Sequence, residues 1–342
     1  MKFAITIPSG PQFMPTVATA FRSIAAQKNN VAVALCDVSD APEIHSFADQ
    51  YDDLISYRRH GQDAGQSAAI NEGWLNIAGD IYGWLNVDDF LAPNAMEIVS
   101  NHFEKNPDVD VIYGQSLIIK DGKIRGRHSA VEPMSDLIFR SNIISQPSCF
   151  VRRKALFDVG LLDEDLHYVM DWELWVRLFE GGAKFMQIPD VLSCVLWHED
   201  AKTASLDKKR YAEIRSVMSG RASWKQLWVS QTNFLIEHFA DYGMAQPVFR
   251  KIRSGLLNMH KGTTVKAPNS TEIFHYEETE KNLKIELGRP MESTLFINKD
   301  KVGQFSGDLI ELSNSFLPGT VYKLKIKNSA NQPIGWQSLE FC

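Results

Sequence analysis

The chain has 342 residues, of which 44% are hydrophobic, and it carries a formal net charge of -6 with an isoelectric point near 5.9. This composition supports one to three packed domains and excludes an intrinsically disordered chain, while the acidic balance argues against a nucleic-acid binder. The four cysteines have no metal-binding spacing and no apolar run reaches the length of a membrane span, so we expect a soluble cytoplasmic protein with reduced thiols.

Short apolar runs alternate with helical periodicities through the first third of the chain, and we expect it to begin in a strand without a signal peptide. This alternation is typical of βαβ units and predicts a mostly parallel sheet flanked by helices. Peripheral association with the inner face of a membrane and a homo-oligomer both stay open. The predicted strands cover 2–8, 31–36, 54–57, 81–87 and 109–113, and the predicted helices cover 13–27, 67–78 and 96–103.

The second half of the chain changes character twice. A hairpin at 117–127, a helix at 168–179 and a strand at 191–197 complete the first domain, which we place at 1–205. A helical extension follows at 206–262. Alternating short strands then predict a small antiparallel β domain at 263–342.

The segment that ends the fourth predicted strand is acidic: Asn86, Asp88 and Asp89 follow the buried run directly. Adjacent carboxylates at the edge of a core are costly unless their charge is compensated. A hard divalent cation such as Mn²⁺ or Mg²⁺ prefers oxygen ligands and removes that cost. The alternative is that both aspartates cap the helix that follows.

Five sequence blocks then resemble, in order and spacing, glycosyltransferase family 2. They include DAGQS with AINEG, the WLNVDD turn, and the DWELWVRL helix. The loop after the second strand, from Asp37 to Pro42, departs from the family pattern because it is shortened and lacks glycines. The blocks lie at 63–73, 84–89, 146–153, 162–178 and 198–205.

The resemblance implies a GT-A fold and an inverting, metal-assisted, hexosyltransferase-type enzyme. Its donor would be a nucleotide-diphospho sugar, with a UDP-sugar favoured. Its acceptor would be a hydroxyl of a glycan, a lipid-linked glycan or a protein, in surface-polysaccharide biosynthesis.

By resemblance, Asp171 is the catalytic general base. A position at a helix N-terminus also favours an ionised carboxylate. The expected metal ligands are Asp88 and Asp89, with His198 as a third. The alternatives are that Asp171 is an N-cap and that His198 is a surface histidine.

The resemblance also assigns a donor side and an acceptor side to the site. Asp63 has the alternative role of a turn residue, and Pro8 that of a strand end. The expected nucleotide-sugar contacts are Pro8, Asp37, Asp63, Gly65, Gln66, Asn71, Asn86 and Asp88, and the expected acceptor contacts are Gln146 and Trp172.

Two rival functions remain at this stage. A noncatalytic carbohydrate- or nucleotide-binding protein would retain the scaffold without turnover. A sugar nucleotidyltransferase would need a glycine-rich triphosphate loop near the N-terminus, and Ser9–Gln12 is a poor substitute for one.

Overall fold

The chain divides into two compact units. The first comprises residues 1–117 and 127–262, and the second comprises 118–126 and 263–342. A computed structural model describes residues 1–11, 16–27, 29–39, 41–120, 123–128, 136–196 and 207–241, and, within 275–341, the five strands given below.

Four parallel strands form the first half of the large sheet in unit 1. They are β1 (Phe3–Ser9), β2 (Val31–Asp37), β3 (Ile55–His60) and β4 (Ile81–Trp84), and the helices that connect them are α1 (Val17–Ala25), α2 (Pro42–Ala48) and α3 (Gln66–Asn76). The strands lie in the order β3-β2-β1-β4. Their carboxyl ends therefore meet along one edge, where open α/β sheets bind ligands.

The other half of the sheet contains antiparallel pairs. Its strands are β5 (Asp89–Leu91), β6 (Val111–Lys120), β7 (Lys123–His128), β8 (Cys149–Arg152) and β9 (Phe185–Leu196), and its helices are α4 (Ala95–Lys105), α5 (Arg153–Asp158) and α6 (Met170–Glu180). The order continues β4-β8-β6-β9-β5, with β7 paired to β6. The expected α/β architecture is confirmed, with parallel pairing in the half formed by β1 to β4.

Helix α3 lies unusually close to the sheet. Its apolar face includes Ile70 and Trp74, and the Trp74 indole N–H donates to the carbonyl of Gly83 at 2.9 Å. A Cβ on Gly73 would stand 2.4 Å from Oγ1 of Thr6 on β1, so glycine is needed for this approach. The close packing fixes the N-terminus of α3 at the strand ends.

Two further helices pack within unit 1: α7 (Lys208–Met218) and α8 (Trp224–Asp241). Ile214, Met218 and Phe234 are buried in the same apolar cluster as residues of α6. The rest of the helical stretch expected up to 262 lies outside the described residues. Among the helices that the structure describes, none is both long and apolar enough to cross a membrane.

Unit 2 contains five antiparallel strands: β10 (His275–Thr279), β11 (Asn282–Ile297), β12 (Asp300–Ser313), β13 (Thr320–Asn328) and β14 (Pro333–Phe341). The register of β11 against β12 shifts between Glu286 and Met291. Pro290 lies within that shift, and it has no N–H for the ladder.

Candidate active site

The residues from Asn86 to Asp89, here named the acidic turn, follow β4 and are joined to two other segments by amide hydrogen bonds. The Asn86 side chain accepts from Nε2 of Gln66 at 2.9 Å and donates to Oε1 of Gln146 at 3.2 Å. Nε2 of Gln146 donates in turn to the Trp84 carbonyl at 2.7 Å. Three of the predicted site residues are therefore in direct contact.

The two carboxylates of the acidic turn differ in exposure. Asp89 is 5% exposed and receives a hydrogen bond from Nδ2 of Asn86 at 3.2 Å. Burial, followed by the charge of Asp88, raises the pKa of Asp89 well above its usual value. Asp88 is half-buried. A ligand can therefore reach Asp88 more directly than Asp89, which lies behind it at the start of β5.

The loop that precedes α3 is held by a short charge network. Oδ1 of Asp63 accepts from the Gly65 N–H at 2.9 Å, and Arg59 pairs with the other oxygen of Asp63 at 2.7 Å. Gly65 has a φ of +125°, a conformation that residues with a Cβ rarely adopt. Asp63 thus acts as a turn residue in this structure, and it holds the backbone N–H groups of α3 at the strand ends.

The N-terminus of α3 contacts both the acidic turn and the segment that carries Asp171. Gln66 bonds to Asn86, while the hydroxyl of the next residue, Ser67, lies 3.0 Å from the sulfur of Met170. The same hydroxyl donates to the Leu166 carbonyl at 3.1 Å. Two adjacent residues therefore bring the acidic turn and the start of α6 to the same side of unit 1.

Asp171 lies in the first turn of α6 and is half-buried. One carboxylate oxygen accepts from Nδ2 of Asn142 at 2.8 Å and the other from the Trp172 N–H at 2.7 Å. Burial raises the pKa of Asp171, an effect opposed by these two hydrogen bonds and then by the charge of Arg210. A half-buried carboxylate with a raised pKa is suited to accept a proton near neutral pH.

Trp172 lies in the apolar core. Its residue is 5% exposed and its indole N–H donates to the Ile138 carbonyl at 2.6 Å. A ring in that environment has no free face for a sugar, so we remove Trp172 from the acceptor side. Gln146, which is half-buried, stays on it.

Asn71 is also committed to internal contacts. Its Nδ2 donates to the Leu162 carbonyl and to Oε1 of Glu164, each at 2.9 Å, and its Oδ1 accepts from the Leu162 N–H at 3.0 Å. This side chain joins α3 to the loop before α6, so we expect any effect on the donor to be indirect.

Asp37 ends β2 and is 2% exposed. Its two oxygens accept from the Ser39 N–H at 3.0 Å and contact Nδ1 of His60 at 2.7 Å. Pro8 is buried on the neighbouring strand, opposite Cys36. Both oxygens of Asp37 already have hydrogen-bond partners. A ligand at this end of β2 would therefore meet the exposed His60 ring first.

The ligand atoms of Asp37, His45 and His60 lie within 4.8 Å of one another, which fits a metal geometrically. The chemistry is less favourable, because Nδ1 of His45 accepts from the guanidinium of Arg58 at 3.1 Å. This contact assigns the ring proton of a neutral His45 to Nε2, so neither nitrogen has a lone pair free for a metal. His198, the other histidine considered as a ligand, lies outside the described residues.

Sequence reasoning missed four polar residues of this region: His60, Asn142, Arg210 and Glu213. The position of His60 at the end of the strand beside β2 was a usable signal. The other three come from segments far away in sequence, and the local pattern contains no signal for their contacts.

Comparisons with known proteins bear on this geometry. Residues 14–162 match the family model described as glycosyl transferase family 2. Two relatives named as uncharacterized glycosyltransferases are from Rickettsia bellii (30% identity over 46% of this chain and 24% of that protein) and Rickettsia typhi (25% over 58% and 64%). The chain thus spans between about a quarter and two thirds of these relatives.

Among solved structures, the crystal structure of Staphylococcus aureus TarS residues 1–349 in complex with UDP-GlcNAc is similar, with a TM-score of 0.53 and 14% identity. The match covers 76% of this chain and 72% of TarS 1–349. At this identity the likeness establishes the fold, and the mixed sheet described above agrees with it.

Proposed function

We propose that the chain is a member of glycosyltransferase family 2, whose model matches residues 14–162, and that it transfers one sugar from a nucleotide-diphospho sugar to an acceptor hydroxyl with inversion. The observation that carries the proposal is the double contact of α3, which joins the acidic turn through Gln66 and the start of α6 through Ser67. A leaving diphosphate and a proton acceptor can then flank the same sugar.

In the proposed reaction Asp171 is the general base. The acceptor oxygen attacks the anomeric carbon and loses its proton to the Asp171 carboxylate, while the bond to the diphosphate breaks and the nucleoside diphosphate leaves. Nδ2 of Asn142 donates to one oxygen of Asp171 at 2.8 Å. This hydrogen bond fixes the orientation of the carboxylate that accepts the proton.

A divalent cation fits the donor set of the acidic turn, since it offers carboxylate and amide oxygens of the kind that Mn²⁺ or Mg²⁺ prefers. Asp88 would hold the ion, with Asp89 and Asn86 behind it. When bound, such an ion stabilises the negative charge that develops on the leaving diphosphate. Asp88 is favoured over Asp89 because it is the more exposed of the two.

A UDP-sugar is the first donor to test, because the similar TarS structure contains UDP-GlcNAc. On this chain the donor would occupy the strand ends between His60, Gly65 and the acidic turn. Asp37 would act through His60, whose ring it contacts at 2.7 Å. We propose a glycan or lipid-linked glycan as acceptor.

A donor panel tests the first half of the proposal. Thermal unfolding is measured with UDP-, GDP-, dTDP- and CMP-sugars, each with and without Mn²⁺. A ligand that binds the native state raises the melting temperature by mass action. We expect one nucleotide class to give a shift that increases with Mn²⁺, and equal or absent shifts for all donors would contradict the proposal.

The variant D171N tests the second half. We expect kcat to fall by about 10²–10⁴-fold, the usual contribution of a general base, with the donor dissociation constant changed less than about threefold. Retained turnover in D171N would remove Asp171 as the base. Donor binding without turnover by the unmodified protein, with any acceptor, would favour a noncatalytic binding protein.

A further inference from the structure

Helix α7 and its N-cap residue present three polar side chains, about one turn apart, to the segment that carries Asp171. We name this set the α7 polar face: Asp207, Arg210 and Glu213. All three lie beyond the residues matched by the family model, which end at 162.

Glu213 makes the strongest contact of the α7 polar face. It is 8% exposed, and its carboxylate accepts from the N–H groups of His167 at 3.1 Å, Tyr168 at 2.7 Å and Val169 at 3.3 Å. These are the three residues directly before α6. Buried backbone N–H groups need partners, and here one carboxylate from another helix supplies them.

The start of α6 has no local substitute for Glu213. Its N-cap residue, Val169, makes no side-chain capping bond and has a φ of -120° and a ψ of 25°. The negative charge of Glu213 also interacts favourably with the positive end of the α6 dipole. The direction in which α6 begins, and hence the position of Asp171, therefore depends on a residue more than forty positions later.

The other two members act on the same segment. The Tyr168 hydroxyl donates to the carboxylate of Asp207, which also caps α7 by accepting from the Lys209 N–H at 2.7 Å. Arg210 supplies positive charge near Asp171 and lies over the ring of Phe234, 5.0 Å from its centroid. The α7 polar face thus bonds to the backbone before α6 and places a positive charge near the first turn of that helix.

We propose that the α7 polar face is the positioning element of the general base, with Glu213 fixing where Asp171 lies. The inference rests on the proposed function, because it gives Asp171 the role of base.

The variant E213Q tests whether Glu213 fixes the position of Asp171. A glutamine offers one acceptor oxygen, and its NH₂ faces backbone N–H groups, so at least one of the three bonds is lost. We expect kcat to fall by about 10- to 100-fold with the donor dissociation constant unchanged, as when a reacting group moves by about 1 Å.

The matched control is E173Q. Glu173 is also a buried carboxylate of the same region, on α6, but it pairs with Arg177 and Arg221 rather than with the start of the helix. We expect E173Q to lower the melting temperature with kcat per folded molecule retained. Equal losses of kcat in E173Q and E213Q, at equal loss of stability, would overturn the positional role.

A readout without turnover separates this inference from the proposed function. The carboxyl ¹³C chemical shift of Asp171, identified by the loss of its signal in D171N, is compared in the unmodified protein, E213Q and E173Q. A larger change in E213Q than in E173Q supports the positioning role even where no transfer is found, and equal changes overturn it. No transfer by the unmodified protein counts against the proposed function alone.

Discussion

The acidic turn and the start of α6 each contain a carboxylate whose pKa is raised by burial, but their surroundings differ. At the acidic turn the next charge is a second carboxylate, Asp88, which adds to the effect of burial on Asp89. At α6 the neighbours of Asp171 are the Asn142 amide and the Arg210 guanidinium, which oppose it. We therefore propose a cation at the first region and a proton acceptor at the second.

The two regions are also held differently. The acidic turn is bonded to Gln66 of α3 and to Gln146 in the turn before β8, both within the span that matches the family model. The start of α6 is held both from within that span, by Ser67 and Asn142, and from outside it, by Glu213. We infer that the donor side is built by nearby segments, whereas the position of the base depends also on a later helix.

Asp88 offers the largest expected effect and separates the two regions directly. In D88N we expect kcat/KM with Mn²⁺ to fall by about 10²–10³-fold, the scale of one lost contribution to transition-state charge stabilisation. The Mn²⁺-dependent part of the donor thermal shift should disappear. The acidic limb of the pH profile, which is the fall of kcat at low pH that we assign to Asp171, should keep its midpoint. The matched control is D53N, at an exposed aspartate, which should leave both quantities unchanged.

The second prediction concerns the proton acceptor alone. The base must be ionised, so activity is lost as pH falls through the raised pKa of Asp171. N142A removes a hydrogen bond that lowers this pKa, and the acidic limb should move up by about one to two pH units, the worth of a bond to a charged group. An unmoved limb in N142A, or one that survives in D171N, would assign the limb to another group.

The third prediction concerns Gly73 on α3, whose replacement should disturb both regions because α3 contacts each of them. A Cβ on Gly73 would overlap Thr6, so G73A should move α3 away from the sheet and lower the free energy of unfolding by about 1–3 kcal/mol, as overpacking does. Donor affinity and kcat should fall in parallel. G83A is the control, because its Cβ meets ordinary contacts at 3.4 Å and beyond. Chemical denaturation measures the difference.

The smallest effect is expected at Trp172. W172F deletes the indole bond to Ile138 and should lower the free energy of unfolding by about 0.5–1.5 kcal/mol, with the acceptor KM unchanged. W228F, at a ring that is 58% exposed, serves as the stability control. A severalfold rise of the acceptor KM at unchanged stability would return Trp172 to the acceptor side.

Much of the donor side could be predicted from the sequence because its signals are local. The glycine before α3, the periodicity of Ile70 and Trp74, and the polar residues that end β4 lie within about 30 positions of one another. Short spacings of this kind are fixed by backbone geometry, and parallel strands bring their ends to a common edge. The hypothesis that Asn86 and Gln66 share a site needed no knowledge of distant contacts.

The sequence alone determined the alternating α/β framework, the family likeness and the candidate carboxylates, because hydrophobic periodicity and turn chemistry are properties of neighbouring residues. The tertiary structure decided which face each side chain presents: that Trp172 is core, that Asp37 is already occupied by His60, and that Glu213 holds the start of α6. The last contact joins positions more than forty residues apart. No local pattern specifies such a pair, since its geometry exists once α6 and α7 have packed on a common core.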